Sequence, residues 1–334
     1  MNQSDTHQRT RQKTRLAPSP TGALHLGNAR TFLVNWALAR QRGWRIVLRI
    51  DDLDGPRIKA GAADDALEML SWLGLDWDEG PYFQRHDLLP YRHALEQLGN
   101  QGDIYPCRCT RKQIAAASLS APHGCDHELR YPGTCRPAIA VEVQFEAYTG
   151  NRERPNQDHN EPAGWRIHVP EGVTTFTDSF SGFQQHEIQK TVGDFLVSAK
   201  SGLPSYQLAV VVDDSRQGVH QIVRGDDLLR STARQLFLYE RLNLGPVPSY
   251  THLPLVVGED GRRLAKRHGD SRLAAYRQQG VAPERIIGLL AHWCGLEPRK
   301  PMSLAEFLSR FQFENLPREQ VQWTRAQDAW LLGH

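Results

Sequence analysis

The stretch from Arg15 to Asn28, RLAPSPTGALHLGN, constrains the fold more than any other part of the chain. Pro18 and Pro20 hold φ near the extended region and interrupt both strands and helices. We therefore predict a short strand over Lys13–Ala17 before the prolines, and after them a helix with Asn28 as its N-cap. The free N–H groups at the start of such a helix form a natural seat for a phosphate.

Two residues near the start of this helix suit a nucleotide. His25 can donate a hydrogen bond to a phosphate oxygen, and Gly27 has no side chain, so a flat base can lie against its backbone. The alternative is a connecting loop with one surface histidine, because short glycine-containing loops often match nucleotide motifs by chance. These residues alone leave both interpretations open.

The composition is that of an ordinary soluble globular protein, with 40% hydrophobic and 23% charged residues in a chain of 334. That length is enough for two or three domains. No run of roughly eighteen apolar residues predicts a membrane span. The polar segment 1–12 lacks the apolar core of a secretory signal, so we expect a disordered tail there. The net charge of +2 says little about partners.

Four of the five cysteines lie between Cys107 and Cys135. The odd total and the clustering argue against a disulfide framework, and indicate a reducing compartment, which we take to be the cytoplasm, and a metal site. Two sets of four zinc ligands are available, namely Cys107, Cys109 and Cys135 with either Cys125 or Tyr131. Thiolate chemistry favours Cys125, since a phenol has to lose a proton with a pKa of about 10. Buried cysteines without a metal are a further alternative.

An acidic turn follows the second predicted strand. Trp44–Ile50 is an apolar run broken by arginines and predicts a buried parallel strand, and Asp51-Asp52-Leu53-Asp54 comes directly after it. Ligands of open α/β sheets gather at such carboxyl ends, although a solvated acidic turn is the plain alternative. Amphipathic patterns over Ala60–Leu73 and Leu88–Leu98 predict helices that cover the sheet.

The rest of the chain predicts further strands and helices. The patterns of Trp165–Val169 and Val173–Phe180 indicate a small antiparallel insertion. Buried-strand texture is found in Phe195–Ala199, Tyr206–Val212, Val219–Arg224 and His252–Val257. Short helices are predicted over Ile286–Trp293 and Leu304–Phe311, with Trp323 and Trp330 packed on them.

Three segments resemble signatures of the class I aminoacyl-tRNA synthetases, in the glutamyl and glutaminyl branch. The stretch ending in His25-Leu26-Gly27-Asn28 resembles the first signature, whose tetrad is His-Ile-Gly-His. Arg49–Asp54 resembles the family's Arg-Ile-Glu-Asp-Leu-Asp, and the segment around Lys266 resembles the second signature, Lys-Met-Ser-Lys-Ser. The chain departs from these patterns at Asn28, Asp51, Arg263 and Ala265.

The resemblance implies a fold and a set of roles. The fold is α/β, a Rossmann-type class I catalytic domain with a zinc-bearing α+β insertion and a short helical C-terminal region. Its halves are expected at 13–103 and 191–250, the insertion at 104–190, and the signature loop with the helices at 251–334. The implied glutamate-binding residues are Arg15, Ala17, Ser19, Asp51, Tyr206 and Arg224. The implied ATP-binding residues are His25, Gly27, Asn28 and Lys266, of which His25 and Lys266 are catalytic through their contacts with phosphates, and Mg²⁺ is assumed to accompany ATP.

The cysteine pattern narrows the resemblance to the glutamyl-queuosine tRNA(Asp) synthetases, which have Cys-x-Cys followed by Tyr-x-x-x-Cys. This implies one structural zinc on Cys107, Cys109, Tyr131 and Cys135. The implied reaction is the activation of glutamate by ATP and its transfer to queuosine at the wobble position of tRNA(Asp). The segment after Arg267 is short for a large anticodon-binding region, so we expect the anticodon arm of tRNA(Asp) itself to be the partner of a monomeric protein, with no membrane partner.

Two alternatives remain at this point. A truncated glutamyl-tRNA synthetase would charge a tRNA 3′ end, and a regulatory paralogue would bind nucleotide or tRNA without chemistry. The departures at Asp51, Arg263 and Ala265 favour the second of these.

Overall fold

The computed structural model describes residues 12–119, 129–139, 143, 145, 162–262, 264 and 271–334. Cys125, Arg263, Ala265 and Lys266 lie outside the described residues, and so does the tail predicted over 1–12 except for its last residue.

Within the described residues the chain forms twelve β-strands and eleven α-helices. The strands are β1 (Lys13–Leu16), β2 (Arg45–Ile50), β3 (Glu79–Phe83), β4 (Ile104–Cys107), β5 (Gly164–Ile167), β6 (Thr174–Asp178), β7 (Gly182–His186), β8 (Leu196–Ser198), β9 (Gln221–Gly225), β10 (Ser249–Leu253), β11 (Val256–Val257) and β12 (Val321–Gln322). The helices are α1 (Leu26–Arg42), α2 (Ala62–Trp72), α3 (Leu89–Asn100), α4 (Arg111–Leu119), α5 (Ile188–Thr191), α6 (Tyr206–Arg216), α7 (Leu229–Leu242), α8 (Leu273–Gln278), α9 (Pro283–His292), α10 (Leu304–Arg310) and α11 (Arg325–Leu332).

The largest sheet has five parallel strands in the order β10-β9-β1-β2-β3. β2 is buried at every residue after Arg45, as expected for a parallel strand covered on both faces. The strand order reverses between β1 and β9, and ligands of open α/β sheets bind at such a switch point. The predicted α/β architecture with a parallel sheet is confirmed, and its crevice lies beyond the carboxyl ends of β1 and β9.

The C-terminal helices pack on the same core as α1. Arg30, in α1, donates to the carbonyl oxygens of Pro254 at 2.8 Å and Trp293 at 3.2 Å, so it joins α1 to the segments that follow β10 and α9. Trp293 and Trp323 meet edge to face at 6.0 Å, and Trp330 is partly buried against the same cluster. The predicted packing of Trp323 and Trp330 is confirmed.

The middle of the chain contributes two smaller antiparallel sheets. β4, β5 and β8 form a three-stranded sheet, and β6 and β7 form a hairpin. The antiparallel strands predicted over Trp165–Val169 and Val173–Phe180 are confirmed. The turn of the hairpin is fixed to the parallel sheet, because the N–H of Ser179 donates to the carbonyl of Tyr250 in β10 at 2.8 Å.

Two predicted strands are wrong. Tyr206–Val212 belongs to helix α6, which Ser205 caps by accepting from the N–H of Leu208 at 3.5 Å. This helix contacts α3, α7 and β8 and is buried from residue 208 to residue 214. Residues 208–212 are all apolar, so this run has no polar face to reveal the helical period. The strand predicted over His252–Val257 is divided into β10 and β11, since Pro254 has no N–H to donate to a ladder.

Candidate active site

His25, rather than Asn28, is the N-cap of α1. Its Nδ1 accepts from the N–H groups of Gly27 at 3.2 Å and Asn28 at 3.4 Å, and the Asn28 side chain accepts from the N–H of His25 in return. The predicted cap at Asn28 is therefore wrong by three positions. A neutral histidine that accepts at Nδ1 has its hydrogen on Nε2, so the ring can donate from Nε2 while Nδ1 caps the helix.

At Gly27 the first signature segment packs closely against β11, the strand that precedes the second signature segment. A Cβ at Gly27 would lie 3.1 Å from two ring atoms of His25 and 3.5 Å from Cβ of Val256 in β11. Leu264, in the second signature, donates its N–H to the carbonyl of Val256 at 3.1 Å and is buried. The two signatures therefore meet at the first turn of α1, whereas Lys266 lies outside the described residues.

A buried group of charges lies at the carboxyl ends of β1 and β2. Arg49 donates from Nε to Oδ1 of Asp51 and from Nη1 to Oδ1 of Asp214, both at 2.7 Å. Burial opposes the charge of Arg49, but these carboxylates and Asp213 outweigh burial and raise its pKa. Burial raises the pKa of Asp51, against the opposing effect of Arg49. Arg15 is also buried, with its Nε 3.5 Å from Oδ1 of Asp214.

Arg224, in β9, differs from these arginines because its partners are neutral. Its Nε donates to Nε2 of His252 at 2.9 Å, and its Nη2 donates to Oγ1 of Thr232 at 2.9 Å and the carbonyl of Leu228 at 3.4 Å. The side chain is 5% exposed, and among the described residues Nη1 has no hydrogen-bond partner. Burial lowers the pKa of Arg224. A buried cation with an unused donor is suited to a ligand carboxylate.

Three tyrosines, Tyr206, Tyr239 and Tyr250, interact electrostatically with Arg15. The ring centre of Tyr250 lies 5.3 Å from the guanidinium of Arg224, and Tyr239 and Tyr250 are buried whereas Tyr206 is 40% exposed. Several buried polar atoms here have no hydrogen-bond partner within the described part of the chain, namely Arg15 Nε, Arg49 Nη2, Arg224 Nη1, Tyr239 Oη and Tyr250 Oη. Unpaired buried polar atoms are rare, and a cluster of them indicates a site for a polar ligand.

Of the six residues predicted to bind glutamate, the structure brings four together. Arg15, Asp51, Tyr206 and Arg224 are linked by electrostatic interactions around Tyr206. Ala17 and Ser19 follow β1 directly, and the segment is joined to the end of β2 because Asp51 donates its N–H to the carbonyl of Pro18 at 3.1 Å.

Sequence reasoning missed Tyr239, Tyr250, Thr232 and His252. The pairing of β9 with β10 sets His252 directly beside Arg224, and only the folded structure shows this pairing. Both strands have polar residues at several positions, so the sequence alone did not mark His252 and Arg224 as a pair.

A second candidate site lies in the antiparallel region, at the end of β4. The sulfur atoms of Cys107, Cys109 and Cys135 all lie within 4.8 Å of one another. Oη of Tyr131 lies 3.5 Å from the sulfur of Cys107 and 4.0 Å from that of Cys109, and accepts from the N–H of Cys135 at 2.8 Å. Arg166 donates from Nε to the sulfur of Cys107 at 3.3 Å, and its guanidinium lies 3.7 Å from the centre of the Tyr131 ring. These four groups could hold one metal ion.

The chain belongs to the class I tRNA synthetases of the E and Q type. Its residues 12–328 match the family described as "tRNA synthetases class I (E and Q), catalytic domain". The fold agrees with a crystal structure of a glutamate tRNA ligase from Elizabethkingia meningosepticum in complex with its amino acid. The TM-score is 0.77 at 24% identity, over 96% of this chain and 68% of that chain.

Relatives of the chain include proteins of two names. The chain is 43% identical to the glutamyl-Q tRNA(Asp) synthetase of Symbiobacterium thermophilum, over 96% of this chain and 98% of the relative. It is 45% identical to the protein of that name from Rhodopirellula baltica, over 87% and 88%. It is 39% identical to the glutamate–tRNA ligase of Geobacter sulfurreducens, over 96% of this chain and 66% of the ligase. Membership of the family, predicted from the three signature segments, is confirmed.

Within the described residues, no helix is both long and apolar enough to cross a bilayer.

Proposed function

We propose that this protein is a ligase that activates glutamate with ATP and transfers it to the queuosine of tRNA(Asp), acting in the cytoplasm as a monomer. The observation on which the proposal depends most is Arg224, a buried cation with neutral partners and an unused donor. Sequence identity supports the acceptor. The identity is 42–45% to four glutamyl-Q tRNA(Asp) synthetases and 34–39% to four glutamate–tRNA ligases.

The pocket offers a partner for each charged group of glutamate. We assign the side-chain carboxylate to Nη1 of Arg224, because a planar guanidinium binds a carboxylate with defined geometry. We assign the ammonium group to Asp51, whose charge is only partly used by Arg49. Arg15 and Tyr206 complete the polar wall, and Ala17 and Ser19 line the approach along the end of β1.

The first step requires position and charge stabilisation, and no enzyme nucleophile. An oxygen of the glutamate α-carboxylate bonds to the α-phosphorus of ATP while the bond from that phosphorus to pyrophosphate breaks. His25 donates from Nε2 to the phosphates, and Gly27 and Asn28 hold the nucleotide. The N–H groups of the first turn of α1 are not the phosphate seat expected from the sequence, because those of Gly27 and Asn28 donate to His25 and that of Leu26 donates to the carbonyl of Ser271. Lys266 neutralises the departing pyrophosphate. A hydroxyl of queuosine then attacks the activated carbonyl, and AMP leaves.

Two metals are implied, and they differ in how the chain can bind them. Mg²⁺ is assumed to accompany ATP and would be bound mainly by its phosphates, whereas the cysteine cluster is a group of potential metal ligands within the chain. We assign Zn²⁺ to Cys107, Cys109, Tyr131 and Cys135. Three thiolates and a phenolate would leave this site with net negative charge, and the adjacent Arg166 compensates for part of it.

Pyrophosphate exchange tests the first step. The protein with glutamate, ATP and Mg²⁺ should exchange pyrophosphate into ATP without any tRNA, because the glutamate and ATP residues assigned here all belong to this chain. Aspartate in place of glutamate is the control and should give no exchange, since its carboxylate is one methylene further from Arg224. Absence of exchange with glutamate would favour the non-catalytic paralogue.

The acceptor is tested with an isolated anticodon stem-loop of tRNA(Asp). The loop with queuosine should accept labelled glutamate, and the same loop with guanosine in its place should not. Binding should weaken with salt, with a log–log slope of about −0.7 to −0.9 per phosphate contact. Charging of unmodified tRNA(Glu) at its 3′ end would establish the truncated glutamyl-tRNA synthetase instead.

A further inference from the structure

The orientation of Arg224 depends on a buried histidine. Arg224 donates from Nε to Nε2 of His252 at 2.9 Å, and the hydroxyl of Thr232 lies 3.3 Å from the same nitrogen. That hydroxyl accepts from Nη2 of Arg224, so its hydrogen is available for Nε2 of His252. Since a guanidinium can only donate, Nε2 of His252 has to be unprotonated, and the ring proton has to be on Nδ1.

Asp178 is the residue that imposes this tautomer. Its Oδ2 lies 2.7 Å from Nδ1 of His252, and both side chains are fully buried. Its Oδ1 accepts from the N–H groups of Phe180 at 3.0 Å, Ser181 at 2.7 Å and His252 at 3.2 Å. The carboxylate is therefore held in one position by backbone donors, with its second oxygen directed at the ring.

Asp178 lies in a different part of the chain from Arg224, the pocket residue whose orientation depends on it. It is the last residue of β6, and the donors to Oδ1 come from the turn before β7 and from β10. His252 in β10 is paired with Arg224 in β9, so the three side chains form a line from the hairpin turn to the pocket. The antiparallel hairpin thereby controls a residue at the switch point of the parallel sheet.

We propose that Asp178 and His252 are positioning residues for glutamate recognition, and that they act by holding Arg224 with Nη1 directed at the side-chain carboxylate of the substrate. This inference rests on the proposed function of Arg224. Nε and Nη2 of Arg224 are used by protein acceptors, so the ligand carboxylate meets the part of the guanidinium that these bonds leave open. If the ring proton moved to Nε2 of His252, two N–H groups would face each other and Arg224 would lose this orientation.

Asp178→Asn is the sharpest test, because it keeps the shape and reverses the tautomer. The amide oxygen would keep the three backbone donors, which places the amide NH₂ opposite Nδ1 of His252. The ring then has to accept at Nδ1 and protonate Nε2, against Arg224. In pyrophosphate exchange we expect the glutamate KM to rise by about tenfold to a hundredfold, with the ATP KM within about twofold of wild type.

Matched variants separate this effect from a loss of structure. Asp194→Asn is the control, since Asp194 is a buried carboxylate that accepts from Oη of Tyr105 and the N–H of Val169. It should leave the glutamate KM unchanged. His252→Gln can place an amide oxygen where Nε2 was, so it should retain a low glutamate KM, whereas His252→Leu should not. In the His252→Gln background, Asp178→Asn should have little further effect, because no ring tautomer remains to be reversed.

The tautomer of the His252 ring can be measured directly by nitrogen-15 NMR of histidine-labelled protein. The signals of His252 are assigned as those that disappear in His252→Gln. Wild type should show protonated Nδ1 and unprotonated Nε2, and Asp178→Asn should show the reverse. Unchanged glutamate KM in Asp178→Asn, or equal rises in the glutamate and ATP KM, would overturn the inference. If wild type fails to exchange pyrophosphate, the proposed function fails, and the NMR result still decides whether Asp178 sets the tautomer.

Discussion

Replacement of Arg224 by methionine should affect stability and glutamate binding in different ways. The guanidinium is 5% exposed, and within the described residues it has no carboxylate partner at ion-pair distance, so the ligand-free protein contains a buried cation with neutral acceptors. Removal of this buried cation relieves its desolvation penalty, but it also leaves the acceptors on His252 and Leu228 without their donor, so the two effects oppose each other. We therefore expect the free energy of unfolding of ligand-free Arg224→Met, measured in urea, to lie within about 2 kcal/mol of that of wild type.

Glutamate binding should be lost in the same variant. Removal of one partner of a buried charge pair costs about 2–5 kcal/mol, which corresponds to a rise in the glutamate KM of roughly 30-fold to 5,000-fold. The KM for ATP should not change. Glutamate at about 100 times its Kd should stabilise wild type by about 2.7 kcal/mol, and should stabilise Arg224→Met by less than about 1 kcal/mol at the same concentration.

Arg30→Met is the matched control for this experiment. Arg30 is also fully buried, but its acceptors are the carbonyls of Pro254 and Trp293, which join α1 to the C-terminal helices. This variant should change the stability of the protein and leave the glutamate KM as in wild type. A wild-type glutamate KM in Arg224→Met, or a large loss of its ligand-free stability, would refute the reasoning that this cation binds a carboxylate.

Three further outcomes are expected. Elemental analysis should find one zinc per chain in wild type and in Cys125→Ser. It should find much less in Tyr131→Phe, because the Tyr131 oxygen lies beside the thiol cluster. Zinc retained in Tyr131→Phe and lost in Cys125→Ser would select the ligand set that contains Cys125. Burial lowers the pKa of His252 below about 6.5, its value in an unfolded chain. The unfolded state therefore binds a proton more readily than the folded state. As a result, the free energy of unfolding should fall as the pH drops below about 6.5. This loss is at most about 1.4 kcal/mol per pH unit and should be absent from the pH profile of His252→Gln, so identical profiles would contradict it. Gly27→Ala should raise the ATP KM by about tenfold, since the added methyl meets the His25 ring and Val256; an unchanged KM would place the nucleotide elsewhere.

Several parts of the fold and the site could be predicted from short stretches of sequence. The turn of Pro18 and Pro20, the buried strand before Asp51 and the paired Cys107 and Cys109 each follow from residues that are neighbours in the chain. Local sterics, apolar patterning and ligand chemistry act over a few residues, so they can be read without knowledge of the rest of the molecule. The cap of α1 was misplaced because histidine is an uncommon cap, and only the bonds from Gly27 and Asn28 to its ring reveal the role.

Other features could not be predicted, because they depend on which elements are neighbours in space. The apolar run that begins at Tyr206 is as compatible with a strand as with a buried helix, and the helices packed around it decide between them. Tyr239 and Tyr250 lie in α7 and β10, and neither is part of a motif next to Arg224. The same is true of Asp178, which lies 74 residues from His252 in the sequence.

The sequence by itself determined the class of the protein through its signature segments, and it predicted residues for glutamate, for ATP and for a metal. Only the tertiary structure decided how Arg224 is held. The pairing of β9 with β10 places His252 beside it, and the hairpin turn supplies the carboxylate that selects the ring tautomer. The physical reason is that a hydrogen bond requires its donor and acceptor to be within about 3 Å of each other, and the separation of residues along the chain carries no information about that distance until the strands have paired.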